Sequence, residues 1–162
     1  MNSPEVDFVE RSICILKENE QFRNDMSIII NCTYGLLSFP HLMITREKCE
    51  EKKNNPNWWM DLSPWNEDIT DSPSVRDIIK GDHPKSLGEL IEAVRNGLNH
   101  QPFVPDNKSG KFVGIKINLT TRKKGEPELK WSFDATQDQL KNFLLMTADK
   151  YLEYFKNLNK TN

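Results

Sequence analysis

The sequence has no long hydrophobic run, no cysteine pairing pattern and no surplus of positive charge, and each lack removes a class of protein. Its longest apolar stretch, Met26 to Leu37, is too short and too polar to span a bilayer, which takes about 20 residues. The opening residues, Met1-Asn2-Ser3-Pro4-Glu5-Val6-Asp7, carry acid where a secretory signal carries base and then an apolar run. Cys14, Cys32 and Cys49 show no CxxC spacing and cannot all pair, which argues against both a disulfide scaffold and a zinc ribbon. Lys and Arg number 22 against 24 Asp and Glu, so the net charge is −2 and bulk charge does not hold nucleic acid. What remains is a cytoplasmic protein, expected to form one domain over residues 1–162, with a compact core and much wet surface.

The pattern of apolar residues reads mainly as helix. Pro4 suits a first helical position, and Val6, Val9, Ile13 and Leu16 recur at helical spacing. A second helix is expected near Gln21 to Leu37, with Phe22, Met26, Ile29, Ile30, Thr33 and Leu37 on one stripe and Pro40 as its stop. From Thr45 to Lys85 the chain makes a long irregular excursion containing Trp58, Trp59 and Trp65. A short helix is expected inside it, from a Ser74 cap through Ile79 to Gly81. The tryptophans either pin the excursion to the core or form a subunit contact or base-stacking platform. A third helix opens at the capping-box pattern Ser86-Leu87-Gly88-Glu89, and Leu87, Leu90, Ile91, Val94 and Leu98 form its apolar stripe. Residues 112–134 alternate as a β-hairpin: Val113, Ile115, Ile117 and Leu119, then Leu129, Trp131 and Phe133. The last helix opens at Thr136-Gln137-Asp138-Gln139 and buries Leu140, Phe143, Leu144, Thr147, Tyr151, Phe155 and Leu158. The expected architecture is mainly α: about four main helices in a bundle, with the hairpin inserted before the last helix.

The chain has three histidines, and two of them, His41 and His83, flank prolines and read as turn residues. His100 ends the third helix. With Leu87 set at zero and about 100° per residue, the apolar stripe lies within about 60° of zero, while Asn96 and His100 fall near 180° and 220°. Arg95 falls between the faces, near 80°, so Arg95 and His100 stand about 140° apart. Phase therefore places His100 outside the core, as an ordinary surface histidine or as a functional one. Convergence with Arg95 on one ligand requires flexible side chains, a distortion at Gly97, or a second copy of the helix across a two-fold axis.

Arg95-Asn96-Gly97-Leu98-Asn99-His100 is an R-N-x-x-x-H motif, and with its helical setting it resembles the HEPN (higher eukaryotes and prokaryotes nucleotide-binding) family. The stretch Asn31-Cys32-Thr33-Tyr34-Gly35-Leu36-Leu37-Ser38-Phe39-Pro40 is similar to the G-L-L-x-x-P end of the second helix in plasmid-borne HEPN proteins, and the strand pair before the final helix suits that subgroup. The resemblance implies a metal-independent endoribonuclease that acts as a homodimer on RNA, with Arg95, Asn96 and His100 in a composite active site and no cofactor. It also implies roles as a toxin or defence effector, with an antitoxin protein as a partner.

The residue types suit that chemistry. An imidazole can take or give the proton that moves when a 2′-hydroxyl attacks its neighbouring phosphate. A guanidinium can hold the phosphoryl oxygens, and an asparagine can orient either group. Lys116, Arg122, Lys123 and Lys124, on or beside the hairpin, are candidate RNA contacts, or else a solvated face that keeps a sheet edge from pairing. The reading from a different class is a non-catalytic HEPN module that binds RNA or a partner protein.

Overall fold

The computed structural model describes residues 4–18, 26–47, 58–100, 104–108, 111–121, 125 and 128–161. Three long helices pack on one another. Helix α1 (Pro4–Glu18) and α2 (Met26–Glu47) pack with α5 (Gln137–Thr161). Val6, Val9 and Leu16 of α1 and Ile29, Cys32, Leu36 and Leu37 of α2 are buried at the helical spacing that the sequence shows. Buried hydroxyls stay within their own helices: Thr33 Oγ1 donates to the Ile29 carbonyl at 2.7 Å, and Thr147 Oγ1 to that of Phe143 at 2.9 Å. The α5 capping box forms in both directions, the Thr136 N–H donating to Gln139 Oε1 at 2.9 Å and the Gln139 N–H to Thr136 Oγ1 at 3.3 Å. Leu140, Phe143, Leu144, Thr147, Tyr151 and Phe155 are buried as expected, and the side chain of Leu158 lies outside the described residues. Among the described residues, no helix is long and apolar enough to cross a membrane.

Pro40 does not stop α2, which continues to Glu47. The proline forgoes one i→i−4 hydrogen bond, and the helical residues on both sides carry the chain through it. His41 therefore sits in a helix and not in a turn. The short helix of the excursion is also placed differently. It is α3 (Pro73–Arg76), with Ser72 at the cap position and Pro73 at the first helical position, where its missing N–H costs nothing. Ser72 makes no side-chain cap, and its hydroxyl donates instead to Met146 Sδ at 3.6 Å.

Residues 79–81, expected as helix, form strand β1 (Ile79–Gly81). It joins β2 (Val104–Lys108), β3 (Lys111–Thr121) and β4 (Leu129–Thr136) in an antiparallel sheet of order β1-β4-β3-β2. The strand pair read from alternation thus forms the middle of a four-stranded sheet, not a lone insertion. Its register sets Ile117 opposite Phe133 and Leu119 opposite Trp131, and β1 adds Ile79 beside Phe133. Those residues, with Ile115 and Ala135, are buried against the helices. Both short strands are edges, which is where Pro105 of β2 can be accommodated.

Trp59 and Trp65 have no exposed surface. Their rings meet edge to face at 5.8 Å, and Trp65 lies 4.6 Å from the Tyr151 ring. The pinning role of these two is therefore the correct one, and neither is available to stack a base. The same segment caps the next helix, α4 (Leu87–His100). The Leu87 and Gly88 N–H groups, which lack partners within the helix, donate to the Glu67 and Trp65 carbonyls at 3.0 and 2.8 Å. Lys150 of α5 closes on Glu67 at 2.6 Å.

Gly97 does not distort α4, which runs unbroken from Leu87 to His100. It lets β3 approach: a Cβ there would overlap Leu119 Cδ2 and lie 3.0 Å from Ile117 Cγ2. By helix propensity alone, Gly97→Ala would stabilise by about 1 kcal/mol. The packing predicts the opposite sign, a loss of about 1–3 kcal/mol in urea unfolding. Combining it with Leu119→Ala should cost less than the sum of the two single losses.

Candidate active site

Helix α4 is enclosed on most of its circumference. Leu87, Leu90, Ile91, Val94 and Leu98 face the core, Gly97 abuts β3, and Gly88 lies against Met60 and Trp65. Asn96, Asn99 and His100 are exposed, while Glu89 and Ala93 are half-buried on the same outward strip. The expected phase therefore holds, and His100 stands in solvent at the end of the helix, one turn beyond Asn96. Tyr34 of α2 fixes that end, its hydroxyl donating to the Leu98 carbonyl at 3.0 Å, one of the four carbonyls the helix itself leaves unsatisfied.

Arg95 lies on the flank of α4 nearer Gly88. Its Nη2 donates to Glu92 Oε1 at 2.5 Å and to Asn96 Oδ1 at 3.3 Å, and Asn96 Nδ2 donates to the same Glu92 oxygen at 3.2 Å. The Arg95 and Glu92 side chains are only 18% and 20% exposed, so solvent screens this pair less than an ordinary surface one. The structure thus joins Arg95 to Asn96 directly. It keeps Arg95 and His100 on different sides of one helix, and a single protomer does not bring them together.

Tyr151 of α5 lies in the core near this pair. Burial pushes its phenol well above the ordinary tyrosine range, while Arg95 acts to lower it and Glu92 to raise it. Its hydroxyl and the Trp65 indole N–H have no hydrogen-bond partner among the described residues. Neither Glu92 nor Tyr151 stands out in the sequence: a glutamate on the polar face of a helix reads as solvated, and a tyrosine on an apolar stripe reads as core. The signal for Glu92 is its spacing, three residues before Arg95 and four before Asn96.

Of the candidate RNA contacts, Lys116 is exposed on β3, with Nζ 3.8 Å from Asp134 on β4. Strand alternation puts it on the face of the sheet opposite α4, since Ile115, Ile117 and Leu119 point inward. Arg122, Lys123 and Lys124 lie outside the described residues. His83 is half-buried near Trp131, with Nδ1 2.7 Å from the Pro84 carbonyl. Burial raises the Cys32 thiol above its usual range, Cys14 is exposed, and neither forms a disulfide. Among the described residues, no three His, Cys, Asp or Glu side chains gather as a metal site would require.

The family model described as HEPN pEK499 p136 matches residues 1–158. The chain belongs to this HEPN family. No curated protein and no solved structure matches it. Membership spans nearly the whole chain, so the Trp-bearing segment and the four-stranded sheet lie inside the matched HEPN region. It points to a nucleotide-binding or ribonuclease-like module.

Tyr151 supplies a test of this reading of the site's interior. Its native pKa lies above the unfolded value of about 10, so the unfolded chain gives up that proton first and stability falls as pH rises past about 10. Tyr151→Phe should remove that component, flattening the fall in the urea midpoint on the alkaline side. At neutral pH the variant should be as stable as the wild type, or more stable by up to about 1 kcal/mol, because the hydroxyl has no hydrogen-bond partner among the described residues.

Proposed function

We propose that this HEPN protein is a metal-independent endoribonuclease whose active site is completed by a second copy of the chain. The observation that carries this reading is the outward strip of α4, where His100 and Asn96 are exposed on a helix otherwise enclosed and Arg95 sits alongside. A two-fold axis past that strip would place two copies of His100 and two of Arg95 around one phosphodiester. One imidazole then accepts the proton of the 2′-hydroxyl as its oxygen bonds to phosphorus. The other, as imidazolium, protonates the 5′-oxygen as the bond from phosphorus to that oxygen breaks. Arg95 stabilises charge on the phosphorane oxygens, and Asn96 orients Arg95. The products carry 2′,3′-cyclic phosphate and 5′-hydroxyl ends. Lys116, Arg122, Lys123 and Lys124 steer RNA electrostatically without taking part in the bond changes. In the cell we place the protein in the cytoplasm as a toxin or defence effector, restrained by an antitoxin protein.

One observation favours the second reading, a non-catalytic module that binds RNA or a partner protein: Glu92 already neutralises Arg95 within the protomer. Cleavage of a labelled RNA in EDTA separates the two. On the first reading EDTA changes nothing, and a substrate with deoxyribose at the cleaved position resists. His100→Ala should keep its fold and dimer and lose about a hundredfold or more in rate. Arg95→Ala should lose comparable activity and also bind intact RNA less tightly. Wild-type cleavage by His100→Ala, or a monomer at micromolar concentration in sedimentation, overturns the enzyme reading.

A further inference from the structure

Glu92 is an acid that reaches the motif from within its own helix. Its Oε1 accepts from Arg95 Nη2 at 2.5 Å and from Asn96 Nδ2 at 3.2 Å, while Asn96 Oδ1 accepts from that same Nη2 at 3.3 Å. A single carboxylate oxygen thereby closes a three-membered ring of side chains and sets which way the Asn96 amide faces: nitrogen toward the carboxylate, oxygen toward the guanidinium. The spacing of three and four residues lets one turn of α4 build the ring. At about one-fifth exposure for both charged side chains, the contact is charge-assisted and only partly screened.

We propose that Glu92 is the positioning residue of the site, orienting Arg95 and Asn96 for the transition state; this rests on the ribonuclease reading above. Two consequences of its charge run in opposite directions. As a hydrogen-bond acceptor it removes rotamers from a long, flexible arginine and so orders that group before substrate arrives. As an anion beside a phosphate site it opposes ground-state binding of RNA. Removing the charge while keeping the shape therefore separates the effects. Catalytic turnover falls because Arg95 is less well placed, and the affinity for RNA holds or improves because a repulsion is gone. A residue that merely supported the fold would lower the melting temperature and leave turnover per folded molecule, and affinity, where they were.

The experiment compares wild type, Glu92→Gln and Glu92→Ala on one labelled RNA, with thermal melts as the folding control. Glu92→Gln should lower kcat about tenfold with KM unchanged or reduced, and Glu92→Ala, which loses the acceptor as well, should lower kcat further. Nitrogen-15 spectra of the Arg95 guanidinium give a readout that needs no activity. Held at Glu92, its Nη protons should give separate signals, which merge in Glu92→Ala as the group rotates freely. Wild-type kcat in both variants, or Arg95 signals that Glu92→Ala leaves unchanged, overturns the positioning role. A rise in KM at constant kcat overturns it also, assigning Glu92 to RNA binding. Should the wild type cleave no RNA, the ribonuclease reading fails by itself. The Arg95 spectra then still decide whether Glu92 orders the guanidinium.

Discussion

The approach of neighbouring elements to α4 at two glycines governs the rest of the molecule. At Gly97 a Cβ would collide with Leu119 of β3, and at Gly88 it would lie 3.2 Å from the Met60 backbone and from Trp65 Cβ. With the sheet on one flank, the Trp-bearing segment on the other and the apolar stripe inward, little of α4 is left to solvent. Nearly every remaining exposed position near its end is polar: Asn96, Asn99 and His100. The motif is thus displayed by exclusion. Close packing at Gly88 and Gly97 leaves Asn96, Asn99 and His100 as the exposed positions of the helix's last turns, with Arg95 on the partly covered flank beside them. The Trp59–Trp65–Tyr151 contacts serve the same end, because they hold the segment that closes the Gly88 flank.

The enclosure also sets the electrostatics. Arg95 emerges on a flank already partly covered, where an unpaired guanidinium would be costly to desolvate. Glu92, one turn earlier, offsets that cost. The same pair lies near a buried tyrosine whose hydroxyl ionises only with difficulty. Pairing within one helical turn keeps the guanidinium ordered and only partly solvated.

Legibility followed periodicity. Helices α1, α4 and α5 and strands β3 and β4 could be read because each buries a regular set of side chains, such as Ile115, Ile117 and Leu119 at period two. The outward phase of His100 and Asn96 followed from the same arithmetic. Strand β1 could not be read, because three residues carry no period and Ile79–Gly81 becomes a strand only by pairing with Trp131–Phe133, about fifty residues away. The run of α2 past Pro40 was hidden because a local rule about proline was outweighed by the helix on both sides of it. Glu92 was missed for a subtler reason. Its role depends on which side chains fold over it, and a glutamate on a polar helical face looks the same whether it is solvated or clamped.

The separation of Arg95 from His100 is the point on which the site's geometry turns. Two residues about 140° apart on one helix project in different directions, and Gly97 is occupied in packing against β3, so it offers no kink to bring them closer. The Glu92 contact fixes Arg95 further on its own flank. Both constraints hold the two apart within the protomer. A second copy of α4 beside this one is the arrangement that the proposed reaction calls for. The far face of the sheet, where Lys116 lies, is separated from α4 by the thickness of the sheet itself. The sheet thus divides the two sets of candidate residues: the inner face of β3 presses on Gly97 of the helix that carries Arg95, Asn96 and His100, and its outer face carries Lys116.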